Sequence, residues 1–148
     1  MRRYLLIVPL LFACAKKENA TADSAAAAAA PAALTDADFA GTWTGTAKLE
    51  GTDSTIANFT ITCGSGSCRL VTAEAPKDTV ASTYVIAGDS ATGTSAAYPE
   101  PAMKGTMVVD HWVARPSGTN ISGHGWGTLA DKPDSVAIRY TFTGAKTP

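Results

Sequence analysis

The sequence predicts an all-β domain, a small antiparallel up-and-down β-barrel of about eight strands, with a β-sandwich as the alternative. Two patterns predict it. From Thr35 onward, glycine and proline punctuate the chain about every eight to twelve residues, and Thr-, Val- and aromatic-rich segments run between them. Within those segments polar and apolar residues alternate, and nowhere does a 3.6-residue apolar period persist. Ala57, Phe59, Ile61 and Cys63 share one face of a strand, as do Val80, Tyr84 and Ile86 of another. Val136, Ile138, Tyr140 and Phe142 alternate with Ala137, Arg139 and Thr141. Alternation of this kind means that one face is buried. Closing the sheet removes its exposed edges, which favours the barrel.

In chain order, Thr35-Asp36-Ala37-Asp38-Phe39 is placed to cap one helical turn at the domain entrance. Strands follow at Gly41–Glu50, Thr55–Cys63, Cys68–Thr72, Thr79–Ala87 and Thr92–Tyr98, then at Lys104–Ala114, Asn120–Leu129 and Ser135–Thr143. An eight-stranded barrel is either filled by side chains or holds one small ligand, and strands this short lean towards filling.

Composition bounds the rest. The chain has 148 residues, 45% hydrophobic and 17% charged, with a formal net charge of −1. That suits one folded domain with an extension and lacks the basic excess that nucleic acid would require. Residues 15–34 contain 11 alanines. The run Ala25–Ala30 ends at Pro31 and has no apolar stripe to dock, so the segment is expected to be a disordered tether with a reach of about 25 Å.

The chain begins Met1-Arg2-Arg3-Tyr4, followed by an apolar run from Leu5 to Ala13. This is the charged and apolar layout of an export signal, too short to span a bilayer. Leu11-Phe12-Ala13-Cys14 resembles the lipobox of bacterial lipoproteins. The resemblance implies removal of residues 1–13, lipidation of Cys14 and anchoring in the cell envelope. Ala15 after the cysteine favours the outer membrane, facing the periplasm. The expected organisation is a signal peptide over 1–13, a lipidated cysteine and linker over 14–34, and a barrel over 35–148.

At the domain entrance, Asp38-Phe39-Ala40-Gly41-Thr42-Trp43 resembles the start of a lipocalin barrel, where a helical turn leads into Gly-x-Trp on the first strand. The resemblance implies that Trp43 plugs the closed end and that a last-strand arginine packs across it. Arg139 is the candidate, although alternation sets it opposite Val136, Ile138, Tyr140 and Phe142. It also implies a barrel that sometimes holds an apolar ligand.

Cys63-Gly64-Ser65-Gly66-Ser67-Cys68 reads as a four-residue loop between two strands, a hairpin that sets the cysteines opposite one another. Export makes oxidation the default, so a Cys63–Cys68 disulfide is expected, with Cys14 as the remaining cysteine. His111 and His124, with the turn centred on Ser117-Gly118, pair across a second hairpin and share a face with Val109, Val113 and Trp126. They are the candidate metal ligands, but a catalytic zinc needs three protein ligands, and Asp110 points to the other face. Gly123-His124-Gly125-Trp126-Gly127 continues into a strand rather than a helix, so it is read as strand bending or close packing beside Trp126, not as a phosphate loop. Tyr98-Pro99-Glu100-Pro101 reads as a stiff loop suited to a rim.

Trp43, Tyr84, Trp112, Trp126 and Tyr140 are the candidate ligand-binding aromatics, and Tyr98, Phe59 and Phe142 also suit a pocket lining, although core packing explains such residues equally well. No nucleophile, base and orienting partner assemble from the sequence, and no cofactor motif is present, so the expectation is not an enzyme. The expected function is a membrane-tethered binding or interaction module. Its partner is a small apolar ligand inside the barrel or, alternatively, another envelope protein docked on the outer wall.

Overall fold

The structure is a computed structural model that describes residues 33–148. The export signal, Cys14 and most of the tether lie outside the described residues. The chain enters through a four-residue helix, α1 (Asp36–Phe39), and continues as β1 (Gly41–Leu49), β2 (Thr55–Gly64), β3 (Ser67–Thr72), β4 (Ala75–Ala87) and β5 (Ser90–Ser95). A three-residue strand, β6 (Tyr98–Glu100), and a 3₁₀ turn at Pro101–Met103 precede β7 (Thr106–Ser117), β8 (Asn120–Leu129) and β9 (Lys132–Lys146).

Leaving β6 aside, the strands pair antiparallel around a closed wall, in the order β1-β2-β3-β4-β5-β7-β8-β9 and back to β1. This is a closed eight-stranded antiparallel barrel. The ninth strand, β6, pairs only with the first residues of β7, Tyr98 opposite Val108 and Glu100 opposite Thr106. The predicted strand Thr92–Tyr98 is therefore two strands, because the chain leaves the β5–β7 pairing and Pro99 brings no N–H to a central ladder. β4 and β9 run longer than predicted, with 13 and 15 residues, and β7 has 12. At about 3.3 Å per residue these strands make a deeper barrel than the sequence suggested.

The alternation read from the sequence holds except at Val136, which is exposed where the β8–β9 register shifts at Thr128. Phe59, Ile61 and Cys63 of β2 and Ile138, Tyr140 and Phe142 of β9 are the more buried residues of their strands, while Thr60, Thr62, Arg139, Thr141 and Thr143 are exposed. The outer wall thus carries threonines with Arg69, Arg115 and Arg139, which suits water and not the apolar band of a lipid-facing barrel. Among the described residues, no helix is long and apolar enough to cross a membrane.

One end of the barrel is closed by α1. Thr35 caps this turn through a reciprocal capping box with Asp38. Asp36 accepts hydrogen bonds from the Ser65 N–H, at 3.2 Å, and from the Tyr84 hydroxyl. The Tyr84 bond is the main reason the Asp36 carboxyl sits below the usual range. The Trp43 indole donates to the Phe39 carbonyl at 2.9 Å. These bonds hold Phe39 against Tyr84, edge to face at 4.9 Å, and 6.1 Å from Trp112. Trp43 is completely buried beside them.

The β2–β3 hairpin seals the same end. Its turn has two residues, Ser65 and Gly66, both at positive φ, with Gly64 paired to Ser67. It is tighter than the expected four-residue loop, because Gly66 supplies one positive φ without penalty and the turn's twist matches that of the strands. Cys63 and Cys68 face each other in register, bonded, with Cα atoms 4.1 Å apart and both side chains buried in the plug.

Candidate functional site

Above the plug the barrel is hollow. A cavity of about 570 Å³ runs from Phe39 and Trp112 at its floor to the end where the β3–β4 and β6–β7 connections lie. Its walls are mainly apolar, with Phe59, Ile61 and Leu70 from β2 and β3 and Ile138, Tyr140 and Phe142 from β9. The expectation that short strands leave a filled interior is corrected. The strands are longer, and several inward positions carry no side chain.

The glycine run of β8 accounts for much of that space. Gly123, Gly125 and Gly127 stand opposite Phe142, Ile138 and Tyr140 of β9: Gly123 with Phe142, Gly125 with Tyr140 and Gly127 with Ile138. A Cβ on Gly123 would lie 2.3 Å from Phe142 Cζ, and one on Gly127 would lie 2.9 Å from Ile138 Cγ2. The three large side chains lie flat across a bare strand instead of projecting to fill the lumen. Gly93 of β5 does the same for Trp112, whose ring carbon Cζ2 would be 2.1 Å from an added Cβ. The close packing predicted for these glycines is real, but it lies under the inward side chains of β9 and not beside Trp126.

One wall near the mouth is polar. Asp110, inward from β7 and 8% exposed, receives a hydrogen bond from the Tyr98 hydroxyl at 2.7 Å, and Tyr140 also hydrogen-bonds its carboxylate. The Tyr98 hydroxyl stands 2.9 Å from Glu100 Oε2 as well. The Asp110 backbone N–H donates to Ser95 Oγ at 2.8 Å, which finishes the ladder where β5 ends. Burial pushes the Asp110 carboxyl above the usual range; the neighbouring Glu100 charge adds to this, and the two tyrosine hydroxyls oppose it. Burial and these carboxylates together raise the Tyr98 and Tyr140 phenols above their ordinary range. The arrangement can accept hydrogen bonds and positive charge at one side of an otherwise apolar chamber.

The sequence candidates divide by position. Trp112 and Tyr140 line the cavity. Trp43 and Tyr84 belong to the plug beneath it. Trp126 is on the outer wall, stacked on His111 with ring centroids 5.3 Å apart, and so lies outside the cavity. The β7–β8 turn falls at Gly118-Thr119, with Ser117 paired to Asn120, one position later than expected. This moves the pairing by two residues: His111 faces Trp126 and His124 faces Val113. The two histidines keep a common outward face without being opposite each other. His111 Nδ1 lies 3.3 Å from Thr94 Oγ1. Among the described residues, no three His, Cys, Asp or Glu side chains cluster so as to hold a metal ion.

Arg139 does not cross Trp43; it is exposed on the outer wall. The cation over the Trp43 ring is Lys146, directly opposite Trp43 in the β1–β9 register, with Nζ 5.1 Å from the ring centroid. The same ammonium donates to the Asp38 carbonyl at 3.2 Å. The stiff segment Tyr98–Pro101 is part of the cavity lining near the mouth.

Sequence reasoning missed Asp110 as a site residue, and it read Tyr98 as a pocket aromatic and rim residue without the carboxylates that meet its hydroxyl. The signal was present: Asp110 takes an inward position between Val108 and Trp112, where a carboxylate needs a structural or functional partner.

The chain matches no protein-family model, no curated protein and no solved structure.

Proposed function

We propose that this chain is a bacterial envelope lipoprotein, anchored through Cys14 in the outer membrane on its periplasmic side, whose tethered, lipocalin-like barrel is a noncatalytic binding module for one small apolar ligand. The observation that carries this reading is the cavity of about 570 Å³ inside the closed barrel, lined largely by apolar side chains. Its volume is in the range of pockets that take small organic molecules. The described chain enters the barrel at its plugged end, opposite the mouth.

Two measurements test the reading. Native mass spectrometry of the exported full chain is expected to find a small molecule bound one to one and released on denaturation. Ala57→Trp, which fills the lumen, is expected to lose it. A bare mass that stays bare after incubation with the apolar dye N-phenyl-1-naphthylamine overturns the ligand reading in favour of docking on the outer wall. Labelled palmitate is expected to enter the wild-type chain but not Cys14→Ser; equal labelling, or none in either, removes the lipoprotein assignment.

A further inference from the structure

We propose that the molecule this cavity selects carries a protonated amine, seated against Asp110 and Glu100 with its apolar part in the lumen; the inference rests on the cavity being the ligand site proposed above. The polar groups of the chamber are concentrated on one wall. Asp110 comes from β7, Tyr98 and Glu100 from β6, and Tyr140 from β9. Both carboxylates lie within 3 Å of a single tyrosine hydroxyl, 2.7 Å for Asp110 and 2.9 Å for Glu100. A phenol has one proton to donate, so Tyr98 serves one of these contacts at a time, while Asp110 also meets the Tyr140 hydroxyl and Glu100 has a further contact of its own. An ammonium brings three donors and a positive charge, and it fits between two carboxylates without needing either to be protonated.

The rest of the lining has the same sign. Glu74 and Asp78 also line the cavity, and Lys77 is the one basic residue among the described lining residues. Glu74 is held by the Asn58 backbone N–H and side-chain amide. Arg115 faces Asp89 on the outer wall, and Lys146 is at the plug. A carboxylate-headed ligand would bring further negative charge to a wall that already holds Asp110 and Glu100 and from which water is partly excluded. Trp112 and Tyr140 add aromatic surface beside the charged wall. Burial and Glu100 already lead Asp110 to retain a proton more readily than an ordinary carboxyl, and a bound ammonium supplies the positive charge in its place.

The test is isothermal titration of the full chain in lipid nanodiscs, with empty nanodiscs as the reference, against 4-phenylbutylamine, 4-phenylbutanol and 4-phenylbutyrate. These probes share an apolar body and differ at the head. The amine is expected to bind at least about tenfold more tightly than the carboxylate, with the alcohol between them. Asp110→Asn and Glu100→Gln are each expected to erase most of the amine's advantage and leave the alcohol's affinity within about twofold. Should Asp110→Asn not fold, Glu100→Gln at the mouth and the wild-type series still decide. Equal affinity for all three probes, or preference for the carboxylate, overturns the amine inference and leaves the ligand cavity standing. Failure of all three to bind removes the cavity reading, and this inference with it.

Discussion

Gly125 of β8 stands directly opposite Tyr140 of β9, and a Cβ at Gly125 would lie 2.4 Å from Tyr140 Cζ and 2.5 Å from its hydroxyl oxygen. The ring has nowhere to retreat, because its hydroxyl is hydrogen-bonded to Asp110. Gly125→Ala is therefore expected to push Tyr140 off the wall and destabilise the barrel by about 1–3 kcal/mol. Urea unfolding measures the loss. Unchanged stability with the tyrosine still bonded to Asp110 would show that the wall gives way more easily than its geometry allows.

The strands were legible because each has one buried face. Phe59, Ile61 and Cys63 cannot slip by one residue without exposing the whole set, so their pattern is strict. The cysteine hairpin was legible because so short a glycine-containing turn leaves few registers, and the one that sets the cysteines opposite buries both. Strand ends were not: Gly144 and Ala145 carry no pattern, which hid the extension of β9 to Lys146 and left Arg139 as the apparent cation for Trp43. The histidine register depended on whether Ser117 or Thr119 joined Gly118 in the turn, and neighbouring residues barely distinguish those options. The hollow interior was the hardest feature to read. It depends on small residues at inward positions, Gly93, Gly123, Gly125 and Gly127 among them, and therefore on strand parity and register together.

Lys146 ties the last strand to the plug through two contacts, the Trp43 ring and the Asp38 carbonyl. Lys146→Met keeps the length of the aliphatic stem and removes both. The expected cost is about 1 kcal/mol. A double-mutant cycle with Trp43→Phe isolates the share carried by the ring. Zero coupling between the two positions would mean that the ammonium contributes only through Asp38.

The Cys63–Cys68 bond closes a short ring at the plugged end, away from the mouth. Loop-closure entropy for a ring of that size gives about 2 kcal/mol. The double variant Cys63→Ala, Cys68→Ala is expected to lose about that much stability, with only a small change in affinity for the cavity probes. Ligand binding that collapses while the barrel remains folded would mean that the plug and the cavity wall are mechanically linked.

Asp110 gives stability a pH dependence whose sign is fixed by its surroundings. Its carboxyl titrates above the ordinary value of 3.8, principally because it is buried. The folded state therefore holds this proton more tightly than the unfolded chain does. The associated stability is fully present below the ordinary carboxylate range and is lost as pH rises through the folded value. Asp36 and Asp38 act the other way: hydrogen bonds from Tyr84 and Thr35, respectively, lower their carboxyls, so what they contribute is lost on acidification. Comparing wild type with Asp110→Asn cancels those two, because both chains carry them. Asparagine still accepts from Tyr98 and Tyr140 and has no charge to bury. The variant is expected to match wild type near pH 3 and to become the more stable protein as pH rises, by about 1.4 kcal/mol for each unit by which the folded value exceeds the unfolded one. Thermal unfolding from pH 3 to 8 measures the divergence. A wild type that gains on Asp110→Asn as pH rises would mean that the tyrosine hydrogen bonds outweigh burial and that the carboxylate is the favoured form even without a ligand.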